Sequence, residues 1–350
     1  MIIYLHMQRN YPMDCPRFNH FRRITEHGKF SVCGHMVDAQ FYDTLEQLEN
    51  SKWLSSLKNE TKWSLNCFRC KQEEELGNKS IRQNSIDRHK LLSLYKKDYL
   101  IIGGILDNIC NSACQFCNEE LSTKIGSLKF GKDYKLINNM EEFNTLPQDR
   151  IIELDINGGE PSNSPNYQFI LDNLPENLQI LRINTNASKY IENLETILNK
   201  NIKVYITISL DGTDKIFEYA RYPLKWNSIN SVIDKYLNLC NNNKLLNLNF
   251  WLTLSAYTIA DLPNIINFAK QKKIELSYGL LQSPEPLNIV YSNPITLAAK
   301  QLLKDNHENL YNIVASKGDN TEKLLHYIKT QDSIRGTNYK EYYDWNVNEL

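Results

Sequence analysis

The chain carries almost no net charge: 40 lysines and arginines nearly cancel 41 aspartates and glutamates over 350 residues. The field that marks a phosphate-backbone binder or a membrane-surface protein is absent, so charge names no partner. Also missing is any apolar run long enough to cross a bilayer. The opening MIIYLHMQRNYPMDCP has an apolar patch but not the charged-then-apolar order of a secretory signal. These absences predict a soluble cytoplasmic protein with neither a membrane nor a nucleic-acid partner. No short-period repeat and no low-complexity tract interrupts the sequence. A chain of this length buries a sizeable core without cross-links. Its eight cysteines therefore point, in that compartment, to metal binding or redox work rather than to disulfides.

What is present is an uneven placing of those cysteines. Cys15, Cys33, Cys67 and Cys70 lie early, Cys110, Cys114 and Cys117 cluster in CNSACQFC, and Cys240 stands alone at the end of an amphipathic segment, where a packed core thiol is expected. Composition shifts near residue 95. Before it the chain is polar and cysteine-bearing, with one amphipathic helix expected over FYDTLEQLENSKWLSSLKN. After it, short β-branched runs recur: YLIIGGIL, IIELDI, LQILRI, VYITIS, LNLNFWLTL and IELSYGLL. Helical patterns alternate with them, among them SKYIENLETILNKN opening on a serine cap, WNSINSVIDKYLNLC, and ADLPNIINFAKQKK with proline in its first turn. Six strand–helix units predict a parallel sheet short of a closed eightfold barrel. We expect a partial (β/α)6 TIM-like barrel over residues 96–350, ending in a helical extension, with chemistry on the loops leaving the carboxyl ends of its strands. Residues 1–95 are expected to form a small cysteine-containing α+β module.

The segment LDNICNSACQFCNEE directly follows the first strand of that series, where an active-site loop belongs. Three thiolates on a four-iron cluster leave one iron open to a ligand. Two plainer readings compete. Positions 110, 114 and 117 also share one face of a helix, as core thiols do, although core thiols need no Asn-rich polar loop. A zinc site wants a fourth ligand, and none lies close in sequence.

The CxxxCxxC of Cys110, Cys114 and Cys117, with Phe116 before the last cysteine, resembles the loop of radical S-adenosylmethionine (SAM) enzymes. The resemblance implies a [4Fe-4S] cluster on these three cysteines, with SAM chelated by the open iron and cleaved reductively to methionine and a 5'-deoxyadenosyl radical. A second match follows the next strand: DINGGEP places Gly158, Gly159, Glu160 and Pro161 where the family has its GGEP motif, which meets the SAM amino group. Paired glycines suit a close backbone approach, and a carboxylate accepts from an ammonium. By the same resemblance, Asn186 in NTNAS, and Ser209 and Asp211 in ISLDG, occupy positions that meet the ribose or the methionine part of SAM. Arg221 in FEYARYPLKW resembles an arginine that pairs with the SAM carboxylate. As ordinary residues, these four are strand-end turn positions or solvated charges. The glycine-rich motif many members have on the fifth strand is replaced here by WLTLSAYT.

Cys15, Cys33 and the CxxC pair Cys67 and Cys70 supply four thiols, which suit either a structural zinc or a closed four-iron cluster. The run WSLNCFRCKQEEELGNKSIRQNS and the closing QDSIRGTNYKEY, with Arg335, Gly336 and Thr337, resemble twitch-domain (half-SPASM) radical SAM proteins whose auxiliary-cluster module precedes the barrel. That resemblance covers nearly the whole chain and implies an auxiliary [4Fe-4S] cluster. Many relatives have adjacent cysteines where only Cys33 stands here, so His35 and His20 compete as a fourth ligand. The resemblance further implies an electron donor such as flavodoxin or ferredoxin, and added cysteine modules favour a peptide substrate by analogy. Tyrosines in NYPMDCP and YKEYYDW are read as packing before pocket walls. Two other classes stay open: a protein whose cysteines hold zinc, with GGEP a plain turn, and a cluster protein that only transfers electrons.

Overall fold

A computed structural model describes residues 15–60, 63–75, 79–132, 134–289, 297–306, 311–312 and 321–343; NYPMD and the last seven residues lie outside them. All six expected strands form: β3 (Leu100–Ile105), β4 (Ile151–Asn157), β5 (Ile180–Thr185), β6 (Lys203–Ser209), β7 (Leu246–Leu254) and β8 (Glu275–Leu280). Two short strands that periodicity did not reveal precede them, β1 (Phe21–Ile24) and β2 (Phe30–Ser31). The order is β2-β1-β3-β4-β5-β6-β7-β8. β2 runs antiparallel to β1, whereas β1 with β3 and each neighbouring pair from β5 to β8 run parallel. The fold is thus mixed α/β on a mostly parallel sheet.

The chain divides into two compact units. One comprises Met1–Ile105, Asn139–Asp155 and Pro175–Leu178; the other comprises Leu106–Asn138, Ile156–Leu174 and Gln179–Leu350. In the second unit, β6 alternates so that Val204, Ile206 and Ile208 are fully buried, each such side chain contributing about 1.5–3 kcal/mol. The helix Trp226–Asn242 buries Trp226, Ile229, Ile233 and Tyr236 along one stripe, as its period dictates. Tyr339 and Tyr343 near the C-terminus pack with Tyr219 and Tyr257 in one buried cluster.

Two expected helices differ from the sequence reading. The segment expected as one helix is two, Leu45–Glu49 and Lys52–Lys58, because Ser51 accepts from Leu54 N and caps a new start. Ser188 opens no helix: Asn186 Oδ1 accepts its N–H and Ala187 takes φ +55°, so helix begins only at Leu194. Cys240 is half-buried, its thiol donating to Leu246 O at 3.2 Å.

Candidate functional site: a three-cysteine loop and a four-cysteine pocket

The cysteine loop belongs to the second unit and is irregular, so its backbone groups need partners from elsewhere. Ala113 N donates to Tyr222 O (2.6 Å) and Gln115 N to Ala220 O (2.9 Å). Arg335, ending the helix Thr321–Arg335 and 4% exposed, donates from Nε to Ala113 O (2.7 Å) and from Nη2 to Cys114 O (3.0 Å). Tyr327 Oη donates to Gln115 O at 2.9 Å. The sequence reading noted Arg335 only as part of a closing segment; a single arginine far along the chain gives no periodic signal.

Ser112 knits the thiols together. Its Oγ lies 3.3 Å from Cys110 Sγ and 3.5 Å from Cys114 Sγ, and it accepts from Asn186 Nδ2 at 3.3 Å. Asn186 Nδ2 also donates to Asn111 Oδ1 (3.0 Å), and Asn186 N donates to Glu160 Oε2 (2.6 Å). Glu160 is 1% exposed; its Oε1 accepts from Ser162 N, Ser162 Oγ and Thr185 Oγ1 at 3.0, 2.7 and 2.6 Å. Burial pushes its carboxyl up, and these hydrogen bonds pull against the rise. A continuous path therefore joins the GGEP carboxylate, through Asn186 and Ser112, to two cysteine sulfurs.

The GGEP turn also meets the cysteine loop through the backbone, Glu160 N donating to Ile109 O at 2.7 Å. Gly159 has φ +53°, and a Cβ there would come within 2.6 Å of Ile109 O. Pro161 is buried behind it. Gly159→Ala is therefore expected to cost at least about 1–3 kcal/mol, read as a shift in the denaturation midpoint; an unshifted midpoint would mean that the turn yields freely. Asp107, fully buried at the loop's start, accepts from Ile109 N (3.0 Å), Asn166 Nδ2 (2.9 Å) and Ser164 Oγ. It positions both segments, and no motif in the sequence marked it.

Arg221 and Asp211 pair with each other. Arg221 Nε donates to Asp211 Oδ2 at 2.6 Å, a second guanidinium nitrogen reaches the same oxygen, and Asp211 Oδ1 accepts from Thr253 N at 2.6 Å. The remaining Arg221 Nη1 lies 3.7 Å from Cys114 Sγ, and the guanidinium sits 5.8 Å from the centre of the Phe116 ring. Ser209 ends β6, half-buried and in register with Trp251; it has no described contact with this network. Burial first, then the neighbouring thiols, pushes Cys110 up to about 11 and Cys117 up to about 12. Such thiols keep their protons at neutral pH until a metal displaces them.

In the first unit, Cys15, Cys33, Cys67 and Cys70 line one small cavity of about 20 Å³ together with Arg17, His35, Trp63 and Arg82. Backbone N–H groups point at the sulfurs: His35 N donates to Cys33 Sγ at 3.4 Å, and Arg17 and Arg82 make backbone hydrogen bonds to Cys15 and Cys70. Burial pushes Cys15 and Cys67 up to about 12. Arg17 is 7% exposed; its guanidinium lies 3.5 Å from the centre of the Phe21 ring, and its Nε has no hydrogen-bond partner among the described residues. His35 lines the cavity. His20 does not; it bonds Tyr99 O at 3.1 Å and stacks on the Tyr99 ring at 4.0 Å.

The SIRQ run explains itself locally. Ser80 and Gln83 form a capping box on the helix Ile81–Leu92, while Arg82 forks onto Glu74 at 2.9 and 2.6 Å. Glu74 sits in the helix Phe68–Glu75, which carries Cys70, so the fork holds that helix to the next.

No family model matches the chain, and no curated protein does. Among solved structures it is similar to SuiB of Streptococcus suis bound to S-adenosylmethionine, at 13% identity over 86% of this chain and 71% of that one, TM-score 0.43. It is likewise similar to SuiB bound to the precursor peptide SuiA, at 14% identity over 92% and 70% of the two chains, TM-score 0.41. Likeness this faint carries no weight for fold or function, which rest on the chain's own residues.

Proposed function

We propose that the chain is a radical SAM enzyme built on a partial TIM-like barrel, with Cys110, Cys114 and Cys117 holding a [4Fe-4S] cluster and the GGEP turn receiving the amino group of SAM. The observation that carries this is the hydrogen-bonded path from Glu160 through Asn186 and Ser112 to the Cys110 and Cys114 sulfurs. Two motifs separated in sequence are built into one site. A plain turn beside three core thiols has no need of that connection.

The donor set fits the group. Three thiols stand on one loop, Cys110 and Cys114 both beside the Ser112 hydroxyl, and three thiolates leave one iron of a four-iron cluster open to a ligand. When bound, the cluster and SAM supply reductive cleavage to methionine and a 5'-deoxyadenosyl radical that takes hydrogen from a substrate. The chain's own part is to hold three thiols on one loop, Cys114 buried and Cys110 and Cys117 half-buried, to present Glu160 and the open turn at Gly158 and Gly159 to an ammonium, and to fix Asn186 between them. Following the added cysteine module, the substrate proposed is a peptide.

For the pocket of Cys15, Cys33, Cys67 and Cys70 we propose an auxiliary four-iron cluster. The buried Arg17, whose Nε makes no hydrogen bond among the described residues, and the three backbone N–H groups aimed at sulfur suit an anionic cage and its thiolates.

The test is the electron paramagnetic resonance spectrum of the reduced, anaerobically reconstituted protein with and without SAM. SAM is expected to change the signal, because it reaches an open iron, and Cys114→Ala is expected to abolish that change. A loaded wild-type protein whose spectrum ignores SAM contradicts the reading.

A further inference from the structure

We propose that Arg221 is a positioning residue for the Cys114 ligand, held by Asp211 so that its charge raises the reduction potential of the cluster, and that it does not bind the SAM carboxylate. This rests on the reading of the Cys110, Cys114 and Cys117 loop as a cluster site.

The geometry already commits one edge of the guanidinium and points the other at a cysteine. Arg221 is 7% exposed and Asp211 fully buried. Nε and one terminal nitrogen are taken by a single oxygen of Asp211, and its other oxygen is fixed by Thr253 N. A guanidinium offers two edges of parallel N–H groups; this one has spent the Nε edge on Asp211. The end edge keeps Nη1, which faces Cys114 Sγ at 3.7 Å, so that edge is turned to a cysteine sulfur. The backbone is arranged to the same end. Ala220 O and Tyr222 O, flanking Arg221, accept from Gln115 N and Ala113 N, flanking Cys114. Two hydrogen bonds thus set the arginine and the cysteine opposite one another, and Arg335 fixes the loop's carbonyls from its other side.

A fixed cation beside a ligating sulfur stabilises the more negative, reduced state of a cluster, because hydrogen bonds and charge near the sulfurs set its potential. Asp211 holds the cation in place and neutralises part of it, which explains why both partners are buried together.

The experiment is a redox titration of the SAM-free cluster in the full chain, followed by spin resonance, with SAM affinity measured separately by calorimetry, for wild type, Arg221→Gln and Arg221→Lys. The expected result is a more negative potential in Arg221→Gln, recovered in part by Arg221→Lys, with SAM affinity close to wild type in both. An unmoved potential together with lost SAM affinity overturns the inference and returns Arg221 to the carboxylate. Where Arg221→Gln does not take up iron, Arg221→Lys decides: a lysine is a point charge without a fork, so SAM binding about tenfold weaker with an unchanged potential also overturns it. Wild-type protein without iron and sulfide at this loop refutes the cluster reading itself, and iron analysis separates that outcome from the others.

Discussion

Asp211→Ala is expected to destabilise the metal-free protein by about 3–5 kcal/mol, because it leaves the Arg221 cation buried with no counter-charge. Asp211 is fully buried, and both of its oxygens are occupied. The measurement is a denaturant titration of wild type, Asp211→Ala, Arg221→Met and the double variant. Removing both charges is expected to recover much of the loss, since apolar side chains replace a buried ion pair at little cost. Additive losses in the double variant would mean that the two side chains act independently, contrary to their 2.6 Å contact.

The second large effect concerns the four-cysteine pocket. Cys67→Ser with Cys70→Ser is expected to lower iron in reconstituted protein from about eight to about four atoms per chain, one cluster of two being lost. The cluster on Cys110, Cys114 and Cys117 should persist, as should its response to SAM. Zinc in place of iron at the pocket, in protein loaded at the other loop, would contradict the assignment. The paired substitution is chosen because both residues sit on one short segment, Cys67 closing a 3-10 turn and Cys70 in the helix that follows. Losing the metal there should also loosen the contact of that helix with Arg82, measurable as faster proteolysis between residues 60 and 80.

Much of this was legible in the sequence, for physical reasons. All six strands of the repeating series were visible because buried parallel strands are written as short β-branched runs, and Ile180–Thr185 or Lys203–Ser209 differ from their expected bounds by a residue or two. The two-residue β2 and the polar FRRI of β1 carry no such run. Arg22 is nonetheless nearly fully buried, held by Glu49 at 2.6 Å and by three backbone carbonyls. A buried arginine inverts the pattern on which strand reading depends. The helix that split at Ser51 and the one that failed at Ser188 share a lesson: a serine caps whichever helix its neighbours allow, and only the local backbone decides which.

In the site, the motifs pointed to Cys110, Cys114, Cys117 and Gly158–Pro161, because thiols at fixed spacing and paired glycines are rare enough to stand out. Of the residues that join them, Asn186 was named from the sequence and the rest were not legible. Ser112 and Asn111 lie inside the cysteine motif yet look like loop filler, Asp107 precedes it unmarked, and Arg335 acts from more than two hundred residues away. Their roles exist only as distances in three dimensions. Arg221 and Asp211 were each named as candidates, but their pairing with one another was not legible, since nothing in a sequence states that a charge after a strand and one ending the next helix will spend themselves on each other.

The most direct measurement of the central claim is 5'-deoxyadenosine formation by anaerobically reconstituted protein given SAM and a strong reductant, beside Cys114→Ala. The account predicts product from the native protein and none from the variant. Its absence from native protein shown to hold iron and sulfide at both cysteine groups would contradict it.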